Sequence, residues 1–180
     1  MSQMTPEYLQ SELPALELFQ KLGYDYIDAS IDDSRSSISD VLLLDRLGSA
    51  LQKINPWLSG NVLEKVIRNI TTISASSLME ANQRAFELIT KSDAITEKPT
   101  PDSKPQPVFL IDYQNIENND FLVVNQMKFH GQGNNSIPDI VIYVNGLPLA
   151  VIEAKSPKVS ITDAISDLEY YQTNSPKLFH

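Results

Sequence analysis

Pro138-Asp139 followed by Ile140-Val141-Ile142-Tyr143-Val144-Asn145-Gly146-Leu147-Pro148-Leu149-Ala150-Val151-Ile152-Glu153-Ala154-Lys155 is the stretch that decides the architecture. Val, Ile and Tyr suit a pleated, half-buried surface, and Asn-Gly between two such runs is a strong hairpin signal. The stretch predicts two strands, Ile140 to Val144 and Leu147 to Ala154. Such apolar strands belong in the middle of a sheet. Side chains alternate along a strand, so Leu149, Val151, Glu153 and Lys155 share one face and Ala150, Ile152 and Ala154 the other. Glu153 and Lys155 therefore project together from the end of an apolar strand, where an isolated charge is costly to bury. A bound cation resolves that cost. Mg2+ takes hard oxygen ligands and keeps several waters, so two carboxylates and a backbone carbonyl are enough to hold it.

Register decides whether Asp139 can be the second carboxylate. With a plain two-residue turn, paired residue numbers sum to 291 and Asp139 points to the face opposite Glu153. A three-residue loop with Gly146 left-handed in a bulge changes the sum to 290. Asp139 then pairs with Val151 and lies diagonal to Glu153 on one face, roughly 7–8 Å away. Sharing an ion thus requires an irregular hairpin. Taken alone, Asp after Pro is also ordinary turn chemistry, and Glu-x-Lys is also a surface ion pair worth under about 1 kcal/mol. The apolar strand and its Asp-bearing partner are what favour a site.

Outward from the hairpin, Phe121 to Val124, continuing to Phe129, and Val108 to Ile111 read as further strands. Glu97 to Pro107 carries four prolines and no large apolar residue, so it reads as an extended or mobile loop outside any core. The stretch from Ile38 to about Ile95 has apolar residues near helical spacing, interrupted at Asn55-Pro56, with Trp57 as packing at the junction. At the front, Thr5-Pro6-Glu7 is a helix start, Pro14 disrupts that helix, and Ser11 caps a second one carrying Leu16, Phe19 and Leu22 up to Gly23. Tyr24 to Ile27 is a short strand. Ser160-Ile161-Thr162-Asp163 is a capping box opening a helix with Ile161, Ala164, Ile165, Leu168 and Tyr171 on one face.

The 180 residues hold 14 basic and 23 acidic side chains, a net charge of −9, and no cysteine. This excludes disulfide scaffolds, thiolate metal sites and cysteine nucleophiles, and fits a reducing compartment. No apolar run approaches the roughly 20 residues of a membrane helix, and the N-terminus lacks a signal-peptide pattern, so the expected setting is the cytoplasm without membrane contact. A negative chain is unpromising for binding DNA by itself, since phosphates are met mostly by Lys and Arg. The acidity is concentrated in the first 60 residues, with 9 acidic and 4 basic side chains.

The run Asn119-Asp120-Phe121-Leu122-Val123-Val124-Asn125-Gln126, then Pro138-Asp139-Ile140-Val141, then Asn145 to Pro157, resembles the N-terminal nuclease domain of the restriction (R) subunit of type I restriction-modification enzymes. The likeness covers about residues 107–180 strongly and the first helix loosely, and leaves 30–95 unmatched. It implies an α/β fold with a restriction-endonuclease-like core: a central mixed β-sheet flanked by helices, plus an extra helical segment. It implies one nuclease domain over 1–180, with a mainly helical part at 1–96, the Pro-rich loop at 97–107, and the catalytic strands and closing helix at 108–180. Motor domains would follow on a longer chain. By position, Asp139 and Glu153 are the metal carboxylates of a PD-(D/E)xK site, the Ala154 carbonyl is a backbone ligand, and Lys155 is the catalytic lysine. The implied activity is Mg2+-dependent hydrolysis of double-stranded DNA, with ATP used by the motor and with modification and specificity subunits as partners. Alternatives are a stand-alone nuclease of the same superfamily and a non-catalytic docking module built on helices 38–95.

The family's Gln-x-x-x-Tyr motif falls on Asp167 to Tyr171. Tyr171 matches, whereas Asp167 stands where the Gln would be and cannot donate as an amide does. Glu12 sits among Ala15, Leu16 and Phe19 on a helical wheel, where a carboxylate is out of place unless it joins the metal site; the other reading is an acid in a first helical turn. Gln126 either lines the same site or is a buried amide satisfied by backbone. Lys128 and Lys158 flank the site as candidate phosphate contacts. His130 and His180 read as surface residues.

Overall fold

The computed structural model describes residues 5–33, 35–72, 77–175 and 178, and the expectation for His180 falls outside these. The chain divides into two compact units, one formed by Met1–Val41 with Phe121–Phe179 and the other by Leu42–Asp120.

The first unit is built on a four-stranded mixed sheet flanked by helices. Its strands are β1 (Asp25–Asp28), β4 (Phe121–Asn125), β5 (Ile140–Val144) and β6 (Leu147–Ile152), in the order β1-β4-β5-β6. β1 runs parallel to β4, and β4, β5 and β6 form an antiparallel meander. Leu16 of α1 (Leu13–Lys21) packs on Val123 and Ile140, with Phe19, Ile142 and Ile152 around them. β4 stops at Asn125, short of Phe129, because Gln126 turns left-handed at φ 53°. Phe129 instead makes an isolated bridge with Ser136.

Thr5 opens the first helix as expected, its Oγ1 accepting from the Tyr8 amide. Ser11 does not cap a second helix. The chain stays helical across Pro14 by widening into a π turn at Tyr8–Glu12, with the Leu13 amide bonding to the Tyr8 carbonyl. A proline ring collides with the carbonyl four residues earlier and offers no N–H. One wide turn just before it accommodates both defects without ending the helix.

The predicted turn and the predicted irregularity in the hairpin are both present, but they are separate features. Asn145 and Gly146 form a two-residue turn with both residues left-handed, φ 54° and 77°, instead of a three-residue loop. Near the turn Val144 pairs with Leu147 and Tyr143 with Pro148. Beyond it Ile142 pairs with Ala150 and Ile140 with Ile152, so the sum moves from 291 to 292 and Leu149 is the extra residue. Val151 consequently pairs with Val141 and not with Asp139.

α5 (Ile161–Asn174) is capped by Ser160, whose Oγ accepts from the Thr162 amide. Ala164 and Asn174 are buried and Leu168 and Tyr171 half-buried, but Ile161 and Ile165 are exposed, contrary to the apolar face read from sequence. Polar anchors set the rotation of this helix: Tyr171 Oη donates to the Ile137 carbonyl, Asn174 bonds Gly133 and Ser136, and Ser175 Oγ bonds His130 and Ser136.

The second unit holds α2 (Leu44–Ile54), α3 (Gly60–Thr71) and α4 (Leu78–Thr90), so the middle helices begin at Leu44 and not at Ile38. Leu47, Leu51, Leu58 and Val66 are buried, while Trp57 is half-buried. The Pro-rich loop is closed at its ends by a two-residue ladder, β2 (Thr96–Glu97) with β3 (Gln106–Pro107). Val108 to Ile111 is not a strand. Val108, Leu110 and Ile111 are buried, yet the neighbour of this segment is a side chain: Asn55 donates to the Phe109 carbonyl and accepts from its amide, both at 2.9 Å, as an adjacent strand would.

Candidate functional site

Asp139 and Glu153 are the residues directly beyond Ile140 and Ile152, the last pair of the 292 register. On its other side Asp139 continues the β4–β5 ladder, its carbonyl accepting from the Gln126 amide at 3.0 Å. Gln126 and Asp139 thus extend that ladder by one step, and Glu153 follows the end of β6.

Both Asp139 oxygens are aimed by donors: Oδ1 accepts from Gln126 Nε2 at 3.1 Å and Oδ2 from the Ala154 amide at 2.8 Å. Glu153 accepts from Lys155 Nζ through Oε1 at 2.9 Å, whereas its Oε2 is buried without a hydrogen-bond partner. Such an orphaned oxygen costs free energy, on the order of 1–3 kcal/mol or more for a charged group. Burial pushes the Glu153 carboxyl above the usual carboxylate range despite the Lys155 bond, with the Asp139 charge adding to the rise. Burial likewise raises Asp139, outweighing the bonds from Ala154 and Gln126.

Lys155 meets three acids: Asp167 Oδ2 at 2.6 Å, Glu153 Oε1 at 2.9 Å and Glu7 Oε1 at 3.6 Å. Burial alone lowers an ammonium pKa, but the bonds to Asp167 and Glu153 prevail and hold Lys155 above the ordinary lysine range. The two partners of the Glu153–Lys155 pair therefore shift in the same direction for different reasons. The Glu153 side chain is only 5% exposed and desolvation dominates it, while Lys155 is surrounded by negative charge.

Glu12 does come to this end of the sheet. It is 4% exposed, and its Oε1 accepts from Asn125 Nδ2 at 3.3 Å and Gln126 Nε2 at 3.4 Å. Burial, more than these bonds can offset, raises its pKa. Gln126 is therefore satisfied by two carboxylates and not by backbone. Asp167, half-exposed on α5, holds the lysine, a task for which an acid suits better than the amide of the related motif. Tyr171 Oη donates to the Ile137 carbonyl two residues before Asp139, and burial followed by the Glu153 charge raises its pKa, so it remains a donor. Lys128, Lys158 and His130 are exposed, and among the described residues their side chains stand apart from the bonded cluster.

Sequence reading overlooked Glu7, Ser11, Asn125 and Asn174. Ser11 Oγ donates to the Lys155 carbonyl at 2.8 Å across a separation of 144 residues, a contact that local periodicity cannot signal. Among the described residues no three His, Cys, Asp or Glu side chains form a ready-made metal cage. Two carboxylates with one orphaned buried oxygen and an adjacent backbone segment nevertheless suit a hard divalent cation that keeps most of its waters.

The chain matches the protein family described as the type I restriction enzyme R protein N terminus over residues 4–180. It is 32% identical over 177 residues to a putative type I restriction enzyme MjaIXP endonuclease subunit of Methanocaldococcus jannaschii, covering 93% of this chain and 17% of that protein. It is 29% identical over 174 residues to the type I restriction enzyme HindI endonuclease subunit of Haemophilus influenzae, covering 91% of this chain and 16% of that one. Against the putative MjaVIIIP endonuclease subunit of M. jannaschii, identity is 43% over 76 residues, 41% of this chain and 7% of that protein. The chain thus spans about a sixth of the length of the first two relatives.

Proposed function

The chain belongs to the type I restriction enzyme R protein N-terminal family, and from that premise we propose that Asp139, Glu153 and Lys155 form a Mg2+-dependent PD-(D/E)xK endonuclease centre in a restriction-endonuclease-like core. The substrate is double-stranded DNA and the reaction is phosphodiester hydrolysis. The reading rests on one cluster above all: Asp139 accepts from the Ala154 amide and its charge reaches Glu153, whose buried Oε2 is unpartnered and whose Oε1 accepts from Lys155.

Asp139, Glu153 and the Ala154 carbonyl would hold the ion, and Glu12 supports them from the buried side through Gln126. A bound Mg2+ supplies a water activated for attack and neutralises charge on phosphate oxygens. Gln126 and the Ala154 amide aim the Asp139 carboxylate so that it need not reorganise during the reaction. Lys155, held by Asp167 and Glu153, would orient water and offset the negative charge that develops on the phosphate. Lys128 and Lys158 lie exposed and available to flanking phosphates.

On this reading the chain works in the cytoplasm within an assembly with modification and specificity subunits, and ATP-driven translocation belongs to segments outside these 180 residues. A net charge of −9 fits that division, because DNA is then held elsewhere and presented here. Asp139→Ala, Glu153→Ala and Lys155→Ala, each in the full-length subunit within its complete assembly, should abolish Mg2+-dependent DNA cleavage while ATP hydrolysis continues. Cleavage at the wild-type rate by any of the three would refute the assignment. Mg2+ or Mn2+ binding lost on Glu153→Ala would separate catalysis from a docking role.

A further inference from the structure

β6 ends at Ile152, so the segment carrying Glu153, Ala154 and Lys155 has left the ladder before it reaches the lysine. What holds it is side chains from elsewhere. Asp139 takes the Ala154 amide, and Ser11 Oγ takes the Lys155 carbonyl at 2.8 Å. At the other end of the same residue, Glu7 and Asp167 bracket the ammonium at 3.6 and 2.6 Å. Glu7 and Ser11 lie on the first helix and Asp167 on α5, so Lys155 is gripped from two helices, by its backbone and by its charge.

We infer that Ser11, Glu7 and Asp167 are positioning residues for Lys155, and that the π turn at Tyr8–Glu12 is the device that presents Ser11 to it. This inference rests on the nuclease reading above. Glu7, Ser11, Ala15 and Phe19 are all at least half-buried, as are Tyr8, Glu12 and Leu16. Both sets repeat every four residues, and a regular helix rotates such a set by about 40° at each step. The wide turn reverses part of that drift. It lets Ser11 and Glu12 face the sheet end while Leu16 and Phe19 remain packed on the sheet. The Glu7 and Asp167 charges also act on Asp139 and Glu153, whereas Ser11 is neutral and bonds the Lys155 carbonyl, so Ser11 sets where the lysine points without adding charge beside the carboxylates.

The test is competitive labelling of the full-length subunit with acetic anhydride, with Lys155 and Lys158 compared by peptide mass spectrometry. In the wild type Lys155 should react at least tenfold more slowly than the exposed Lys158. Ser11→Ala and Asp167→Asn should each accelerate Lys155 by threefold or more, and Ser11→Thr, which retains the hydroxyl, should restore slow labelling. In the assembled enzyme both variants should cut DNA about tenfold more slowly, Ser11→Ala with an unchanged half-saturating Mg2+ concentration. Asp167 is half-exposed, so its Asn variant carries the test if Ser11→Ala does not fold. Unaltered Lys155 labelling in both variants overturns the inference, as does a Ser11→Ala cleavage defect that extra Mg2+ relieves. Should the wild-type assembly fail to cut DNA, the nuclease reading falls, and labelling still decides the positioning claim.

Discussion

Asp139 and Glu153 each lie one residue past Ile140 and Ile152, the last pair of a ladder in which β6 carries one residue, Leu149, more than its partner strand. In the unshifted register of the turn, Asp139 would project from the face opposite Glu153. A bulge of this kind is a means of re-aiming a side chain.

Deleting Leu149 should therefore be tolerated at the site almost as well as truncating it, because its neighbours Pro148 and Ala150 already pair with the consecutive residues Tyr143 and Ile142. Leu149 is 43% exposed, so Leu149→Ala should change stability by less than about 1 kcal/mol and leave the register intact. The deletion joins Pro148 to Ala150 while Ile142 keeps Ala150 and Ile140 keeps Ile152 as partners, so DNA cleavage by the assembly should stay within about tenfold of the wild type. Cleavage rates of the two variants, measured beside their unfolding curves, decide this.

The raised carboxyls of Asp139, Glu153 and Glu12 give the metal-free protein a definite pH trend. Each binds its proton more tightly folded than unfolded, so the stabilisation is complete below the unfolded pKa, about 4, and is lost as pH rises through the higher folded value. Without metal, the melting temperature should fall over that interval, and Asp139→Asn/Glu153→Gln should flatten the decline. Mg2+ binds the deprotonated forms, so its stabilising effect should be larger at pH 8 than at pH 5.5. Thermal melts over pH with and without Mg2+ provide the check. Asp33 moves the other way: the Arg35 guanidinium holds its carboxyl low, so that contribution is present above the unfolded pKa and lost as pH falls through the lower folded value.

Glu12→Ala should destabilise the protein by about 1–3 kcal/mol, since it withdraws the shared acceptor of the Asn125 and Gln126 amides in a buried place. Glu12→Gln, close in shape and still an acceptor, should recover most of that loss. Urea unfolding of both variants measures the difference.

Leu16→Ala should cost about 2–5 kcal/mol, because Leu16 is 2% exposed and packs against Val123 and Ile140 under the site. Leu18→Ala, two residues along and 56% exposed, should fall within about 0.5 kcal/mol of wild type. Denaturant titrations distinguish the two faces of α1.

Much of the first unit was legible in the residues themselves. Asn145-Gly146 announced the hairpin, Thr5-Pro6 the first helix, Ser160 the start of α5, and the Asp139, Glu153 and Lys155 cluster stood out as charge at the end of apolar strands. What misled were segments whose partners are side chains. Val108 to Ile111 has strand composition, but Asn55 supplies its hydrogen bonds. Ile161 and Ile165 have helical spacing, but Asp167, Tyr171, Asn174 and Ser175 decide which way α5 turns. Ser11 looked like a cap because Pro14 looked like a break, and the π turn removes the need for either.

The sequence by itself determined the strands, the turn between β5 and β6, and the identity of the residues that meet at their ends, since alternation, turn chemistry and the cost of burying charge act over a few residues. Only the tertiary structure decided the register past Leu149, the orphaned oxygen of Glu153 and the grip of Ser11 and Asp167 on Lys155. A one-residue bulge leaves the local pattern nearly unchanged yet reverses which face each later side chain occupies, and contacts across 144 residues form only when the sheet and its helices pack together.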